Sequence, residues 1–118
     1  MADHRRTLGA NGEDAAAQWY EARGYRVLDR NWRSRDGELD LVVAGTGVTV
    51  FCEVKTRTSN AFGAPVEAVT TAKQRRLRVL GAQWLAAHPD QRGEIRFDVA
   101  SVTPNGRGLD VEMLEGVL

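Results

Sequence analysis

The stretch that decides the fold is GELDLVVAGTGVTVFCEVK, residues 37–55. Two strand-like runs, Glu38 to Ala44 and Val48 to Lys55, flank Gly45-Thr46-Gly47. A gap that short between strands dictates an antiparallel hairpin. Both runs carry apolar residues on both alternations: Leu39, Leu41 and Val43 beside Val42 and Ala44, then Val50, Cys52 and Val54 beside Phe51. Strands of that kind are buried on both faces and sit in the middle of a sheet. With Thr46 and Gly47 as the central turn residues, Gly45 faces Val48, and counting outward sets Asp40 opposite Glu53.

Working outward, Tyr25 to Arg33 reads as a further strand, closed by the turn sequence Ser34-Arg35-Asp36-Gly37. Ahead of it, Leu8, Ala15, Ala16, Trp19 and Tyr20 recur at helical intervals up to a stop at Gly24, with Gly9 and Gly12 weakening the first turn. On the other side, a polar loop with Gly63 and Pro65 leads to a helix from Thr71, its candidate N-cap, to about Ala87, stopped by His88-Pro89. Ile95 to Val102 is a strand, joined through Pro104 to Gly108 to a last one near Leu109 to Leu114. The order is αβββαββ. A strand, a crossover helix and a strand imply a parallel pair, so the expected class is α/β, a mixed sheet flanked by helices in a single domain over residues 1–118.

Composition narrows the classes. The chain has 118 residues, 16 Lys or Arg and 16 Asp or Glu, and 42% hydrophobic residues, which fits an ordered globular domain and excludes a basic tail or an acidic solvating segment. No apolar stretch approaches the roughly 18 residues of a membrane span. No secretory signal precedes Glu13, and the lone Cys52 cannot form an internal disulfide, so the expected setting is cytoplasmic and membrane-free. The zero net charge is uneven: residues 55–78 carry Lys55, Arg57, Lys73, Arg75, Arg76 and Arg78 against Glu67 alone. A basic segment on a neutral chain suggests a local anion-binding face.

Two carboxylates facing each other on an apolar sheet repel and lose hydration, so they require a proton or a cation. Oxygen ligands with room for water suit Mg²⁺ or Mn²⁺, and no Cys/His cluster is available for zinc. Lys55 shares a strand face with Glu53 and offers a compact charge beside them. Fourteen arginines stand against two lysines, Lys55 and Lys73, so lysine at these positions is selective usage. Lys73 falls on the helix stripe of Leu77, Leu80 and Trp84, which should face the sheet. The plainer readings are an edge-strand ion pair for Glu53 and Lys55, snorkelling for Lys73, and a solvated face for Arg75, Arg76 and Arg78. Glu38 shares a face with Asp40 as an alternative ligand or a turn-end acid; Cys52 reads as packed and Trp19 and Trp84 as core.

Asp40 followed by Glu53-Val54-Lys55 after a hairpin resembles the D…E-x-K motif of the PD-(D/E)XK nuclease superfamily, the restriction-endonuclease-like and Holliday-junction-resolvase-like fold. Gly12-Glu13, Gly24-Tyr25, Asn31, Gly37 to Leu41, Phe51 to Arg57, Phe62-Gly63, Lys73 and Arg96 to Val99 together resemble the bacterial YraN-like family, from about Leu8 to Val102. Leu39 departs from the superfamily's proline, and Cys52 stands where a branched aliphatic is typical. The resemblance implies a nuclease-like core, Asp40, Glu53 and the Val54 carbonyl as ligands of Mg²⁺ or Mn²⁺, Lys55 at the attacking water, and Glu13 as an auxiliary acid. Lys73 and Gln74 would lie within reach of the site, with Arg57, Arg75, Arg76 and Arg78 on the nucleic-acid path. The expected function is metal-dependent phosphodiester hydrolysis on nucleic acid, DNA favoured over RNA, structure-specific or of low sequence specificity. Cutting both strands would call for a homodimer. The rival is a non-cleaving nucleic-acid-binding module that recruits a DNA repair or recombination partner.

Overall fold

A computed structural model describes residues 4–57 and 70–117. Along the chain run α1 (His4–Glu21), β1 (Arg26–Ser34), β2 (Gly37–Gly45), β3 (Val48–Thr56), α2 (Thr71–Ala87), β4 (Glu94–Asn105) and β5 (Gly108–Leu114). The five strands form one mixed sheet in the order β1-β2-β3-β4-β5, parallel only between β3 and β4, with α2 in the crossover between that pair. The Gly63 and Pro65 loop and the Phe62-Gly63 motif lie outside the described residues.

Each helix covers one sheet face. Ala16, Ala17 and Tyr20 of α1 pack on Leu41, Val43, Val50, Cys52 and Ala100. Leu77, Leu80 and Trp84 of α2 pack on Leu39, Val42 and Phe51. Burying a Leu or Phe side chain contributes about 1.5–3 kcal/mol, so these two stripes hold the layers together. β2 and β3 are central, as their doubly apolar pattern requires, which removes the edge-strand reading of Glu53 and Lys55.

Several local expectations are corrected. The cap of α2 is Thr70, whose side chain accepts from the Lys73 amide at 3.2 Å; Thr71 is the first helical residue. Helix α1 begins at His4, so Gly9 and Gly12 are interior rather than first-turn residues. Gly12 is there for space: a Cβ on it would lie 2.1 Å from Thr56 Oγ1, so the helix rests directly on the end of β3. Leu39 and Leu41, two apart, pack on opposite faces, because β2 breaks its alternation between them.

A buried polar knot ties the C-terminal segment down. Asp98 is fully buried and accepts from Tyr20 Oη at 2.6 Å, from Arg96 through two bonds of 2.9 Å, and from the Gly116 amide at 3.0 Å. Burial, with the neighbouring Cys52 and Asp98, holds the Tyr20 phenol protonated, and its bond to Asp98 drives the Arg96 pKa further up.

Candidate functional site

The hairpin register runs as its turn predicts from Gly45↔Val48 to Leu41↔Cys52. There the ladder stops, one pair short of Asp40 and Glu53, so those two are not cross-strand partners. Asp40 instead accepts a hydrogen bond from the Val54 amide at 2.8 Å, capping the N–H that the parting strand would leave open. The divergence coincides with Asn31 on β1, between the pairs Arg30↔Leu41 and Trp32↔Leu39, which adopts φ +50. A side chain tolerant of left-handed backbone is needed at such a point, and Asn is one.

Three acids converge at this fork. One carboxylate oxygen each from Glu13 on α1 and Glu38 and Asp40 on β2 lie within 4.8 Å of one another, all half-buried. Burial raises the Asp40 pKa to about 6, against the Val54 bond, and the charges of Glu13, Glu53 and Glu38 push it further up. Glu13 is raised too, chiefly by burial and by Glu38, against a hydrogen bond from the Asn31 side chain. The contact of Gly12 with Thr56 is what brings α1 close enough for Glu13 to join.

Glu53 leaves the fork on the α2 side. Its Oε1 stands 3.7 Å from Lys55 Nζ and 3.6 Å from Lys73 Nζ, while Oε2 is buried without a hydrogen-bond partner. Lys73, on the sheet-facing stripe as its spacing predicts, has a lowered pKa through burial and the adjoining Lys55, partly offset by Glu53. An all-oxygen donor set with like charges at short range and an orphaned buried carboxylate oxygen fits a hard divalent cation such as Mg²⁺ or Mn²⁺.

The other predicted residues divide. Val54 enters through its amide. Gln74 is half-buried in the first turn of α2, and Arg57 follows β3 with its amide donating to Val102 O at 2.8 Å. Arg75, Arg76 and Arg78 are exposed, and only Arg76 reaches toward the β1–β2 turn, its Cδ 3.4 Å from where a Gly37 Cβ would stand. Arg78 borders a hollow with Ile95 and Phe97 instead. Glu38, for which the turn-end reading is the plainer one, belongs to the cluster, and its two-residue spacing from Asp40 is the signal for it. Nothing in the spacing of Asn31 marks it as a partner of Glu13.

Fold and site define a mixed α/β domain carrying an acidic cluster at the fork of two central strands, flanked by a Glu53–lysine pair. The family model described as "Uncharacterised protein family UPF0102" matches residues 12–102, and the chain belongs to that family. UPF0102 proteins of Clavibacter michiganensis and Beutenbergia cavernae are each 52% identical to it, over 91% of this chain and 92% of the first relative, and 93% and 94% for the second. One from Frankia casuarinae is 49% identical over 92% of this chain and 93% of its own.

Proposed function

We propose that this chain has the PD-(D/E)XK core and is a metal-dependent, nuclease-like protein that hydrolyses phosphodiester bonds in nucleic acid, DNA in preference to RNA. The observation that carries the reading is the convergence of Glu13 from α1 with Glu38 and Asp40 from β2, beside Glu53 and Lys55 of β3. A pure scaffold has no use for four like charges so placed.

Asp40 and Glu53, with the Val54 carbonyl, Glu13 and Glu38, would hold Mg²⁺ or Mn²⁺. Such an ion polarises a phosphate and lowers the pKa of a bound water. Asp40 is oriented by the Val54 amide, and Glu13 by Asn31. Lys55, with its head half-exposed beside Glu53, orients a water or counters the charge of an attacked phosphate.

A second reading has one observation in its favour: both lysines engage Glu53, which leaves that carboxylate ion-paired. A protein kept in that state would bind nucleic acid without cutting it and recruit a repair or recombination partner. The deciding experiment is a cleavage panel in Mg²⁺ and Mn²⁺ on single-stranded, duplex, flap and four-way-junction DNA and on RNA, with Glu53→Ala as control. Cleavage lost in the variant supports the nuclease; no cleavage of any substrate by the wild type, with binding retained, selects the second reading.

A further inference from the structure

The β1–β2 turn, Ser34 to Gly37, is held by the opposite layer. Gln83 of α2 accepts from Ser34 Oγ at 2.6 Å and donates to the Asp36 carboxylate, so a single side chain grips both sides of the turn. Gly37 completes the lock: its φ of +140 favours glycine, and the Arg76 and Leu80 side chains close over it. The two arginines that this rigid turn presents are almost wholly in solvent, Arg33 with 81% and Arg35 with 92% of the side chain exposed. Their ion pairs, to Glu38 at 2.8 Å and to Asp36 at 3.8 Å, leave both arginine side chains mostly in solvent.

The position matters as much as the rigidity. Glu38 of the acidic cluster directly follows the turn. Arg76 lies one helical turn from Lys73, which touches Glu53, so Lys55, Lys73 and Arg76 line the α2 side of the sheet next to the turn, while Arg33 pairs with Glu38 of the cluster itself. A turn whose backbone is already held in place loses less order on binding a charged chain than a flexible loop does. Guanidinium also takes phosphate oxygens in bidentate fashion.

We infer that the β1–β2 turn is a phosphate-docking element, which grips the backbone of a nucleic-acid strand with Arg33 and Arg35 a short distance from the acids, Gln83 serving as the positioning residue that keeps the turn in register. This rests on the nucleic-acid reading above and adds the path of the strand: across the β1–β2 turn and Arg76, rather than along Arg75 and Arg78.

The test is fluorescence anisotropy with a short labelled DNA duplex in EDTA over a salt series, on the wild type, Arg35→Gln, Arg33→Gln/Arg35→Gln, Gln83→Ala and, as control, Arg92→Gln, which lies beyond α2 at the far end of the sheet. Melting temperatures confirm that each variant is folded. The double variant is expected to flatten the slope of log K against log[salt] by about 1.8, at about 0.9 for each phosphate no longer neutralised, and Arg35→Gln by about half of that. Gln83→Ala, which removes no charge, should weaken affinity several-fold, and Arg92→Gln should match the wild type. An unchanged slope in the double variant overturns the docking turn and leaves the nuclease-like reading standing. Equal affinity of Gln83→Ala and wild type overturns the role of the clamp. A wild type that binds no DNA or RNA overturns the functional reading, and this inference with it.

Discussion

The carboxylate of Asp40 caps the amide of Val54 at 2.8 Å, at the point where β2 and β3 part. The bond takes the place of a ladder contact and fixes an acid that burial and three other acids push toward its neutral form. Position and protonation of Asp40 are therefore opposed, and that opposition makes it the most informative residue to alter.

Stability should fall as pH rises through the Asp40 titration. Its folded pKa of about 6 lies above the ordinary aspartate value of 3.8, so between those values the folded state holds more protons than the unfolded one. The loss begins near pH 4, is complete above pH 6, and is on the order of 2–3 kcal/mol. Asp40→Asn should remove this component. Denaturation free energies of wild type and variant across pH 4–7 test it, and parallel profiles would refute the assignment.

Divalent cations should reverse that loss. Mn²⁺ or Mg²⁺ bound only to the folded state at 100 times its Kd adds about 2.7 kcal/mol and raises the melting temperature. Asp40→Asn should abolish most of the rise, and Glu13→Gln and Glu38→Gln should each reduce it. Thermal scans with and without metal decide this; an equal rise in all four proteins removes the cluster as the site.

Lys55→Arg keeps the charge but spreads it and fixes its proton. Cleavage should drop by about 10²-fold or more while DNA affinity and melting temperature hold. Lys55→Ala should lose cleavage as well, and full activity in Lys55→Arg would end the catalytic assignment. Cleavage rate, anisotropy and thermal melting are measured on both.

The Asp98 knot is structural, and its variants should report on folding alone. Asp98→Ala leaves the Arg96 guanidinium without its partner in a half-buried position and should cost about 3–5 kcal/mol. Tyr20→Phe removes one of the two hydrogen bonds to Asp98 Oδ2, leaving the one from Arg96, and should cost about 1–3 kcal/mol. Urea denaturation measures both, and Tyr20→Phe should cleave DNA at the wild-type rate below its melting temperature.

The hairpin of residues 37–55 was legible because two glycines around Thr46 fix its turn, and the register followed from counting. Counting failed at Asp40, since the β2–β3 ladder stops at Leu41↔Cys52, and the irregular backbone that accompanies the break, Asn31 at φ +50, lies on a different strand. Helical spacing put Lys73 on the sheet-facing stripe but left snorkelling open beside a place in the site, because its contact with Glu53 is made across to another element. Glu13 entered only through family resemblance, because its approach depends on the absence of a side chain at Gly12. Gln83 was invisible: its two partners are on the β1–β2 turn, 47 and 49 residues away in sequence, and a lone glutamine carries no periodic signal.

The parallel β3–β4 pair has a consequence for biosynthesis. During translation α1, β1, β2 and β3 emerge together with all four acids of the site, whereas the far edge of β3 meets its partner only when β4 begins at Glu94. At about 5–20 residues per second the intervening stretch takes roughly 2–8 s. Through that interval the mostly apolar stretch Val50 to Val54 has no β4 to pair with on one side of its backbone, the kind of open strand edge that invites pairing with another chain.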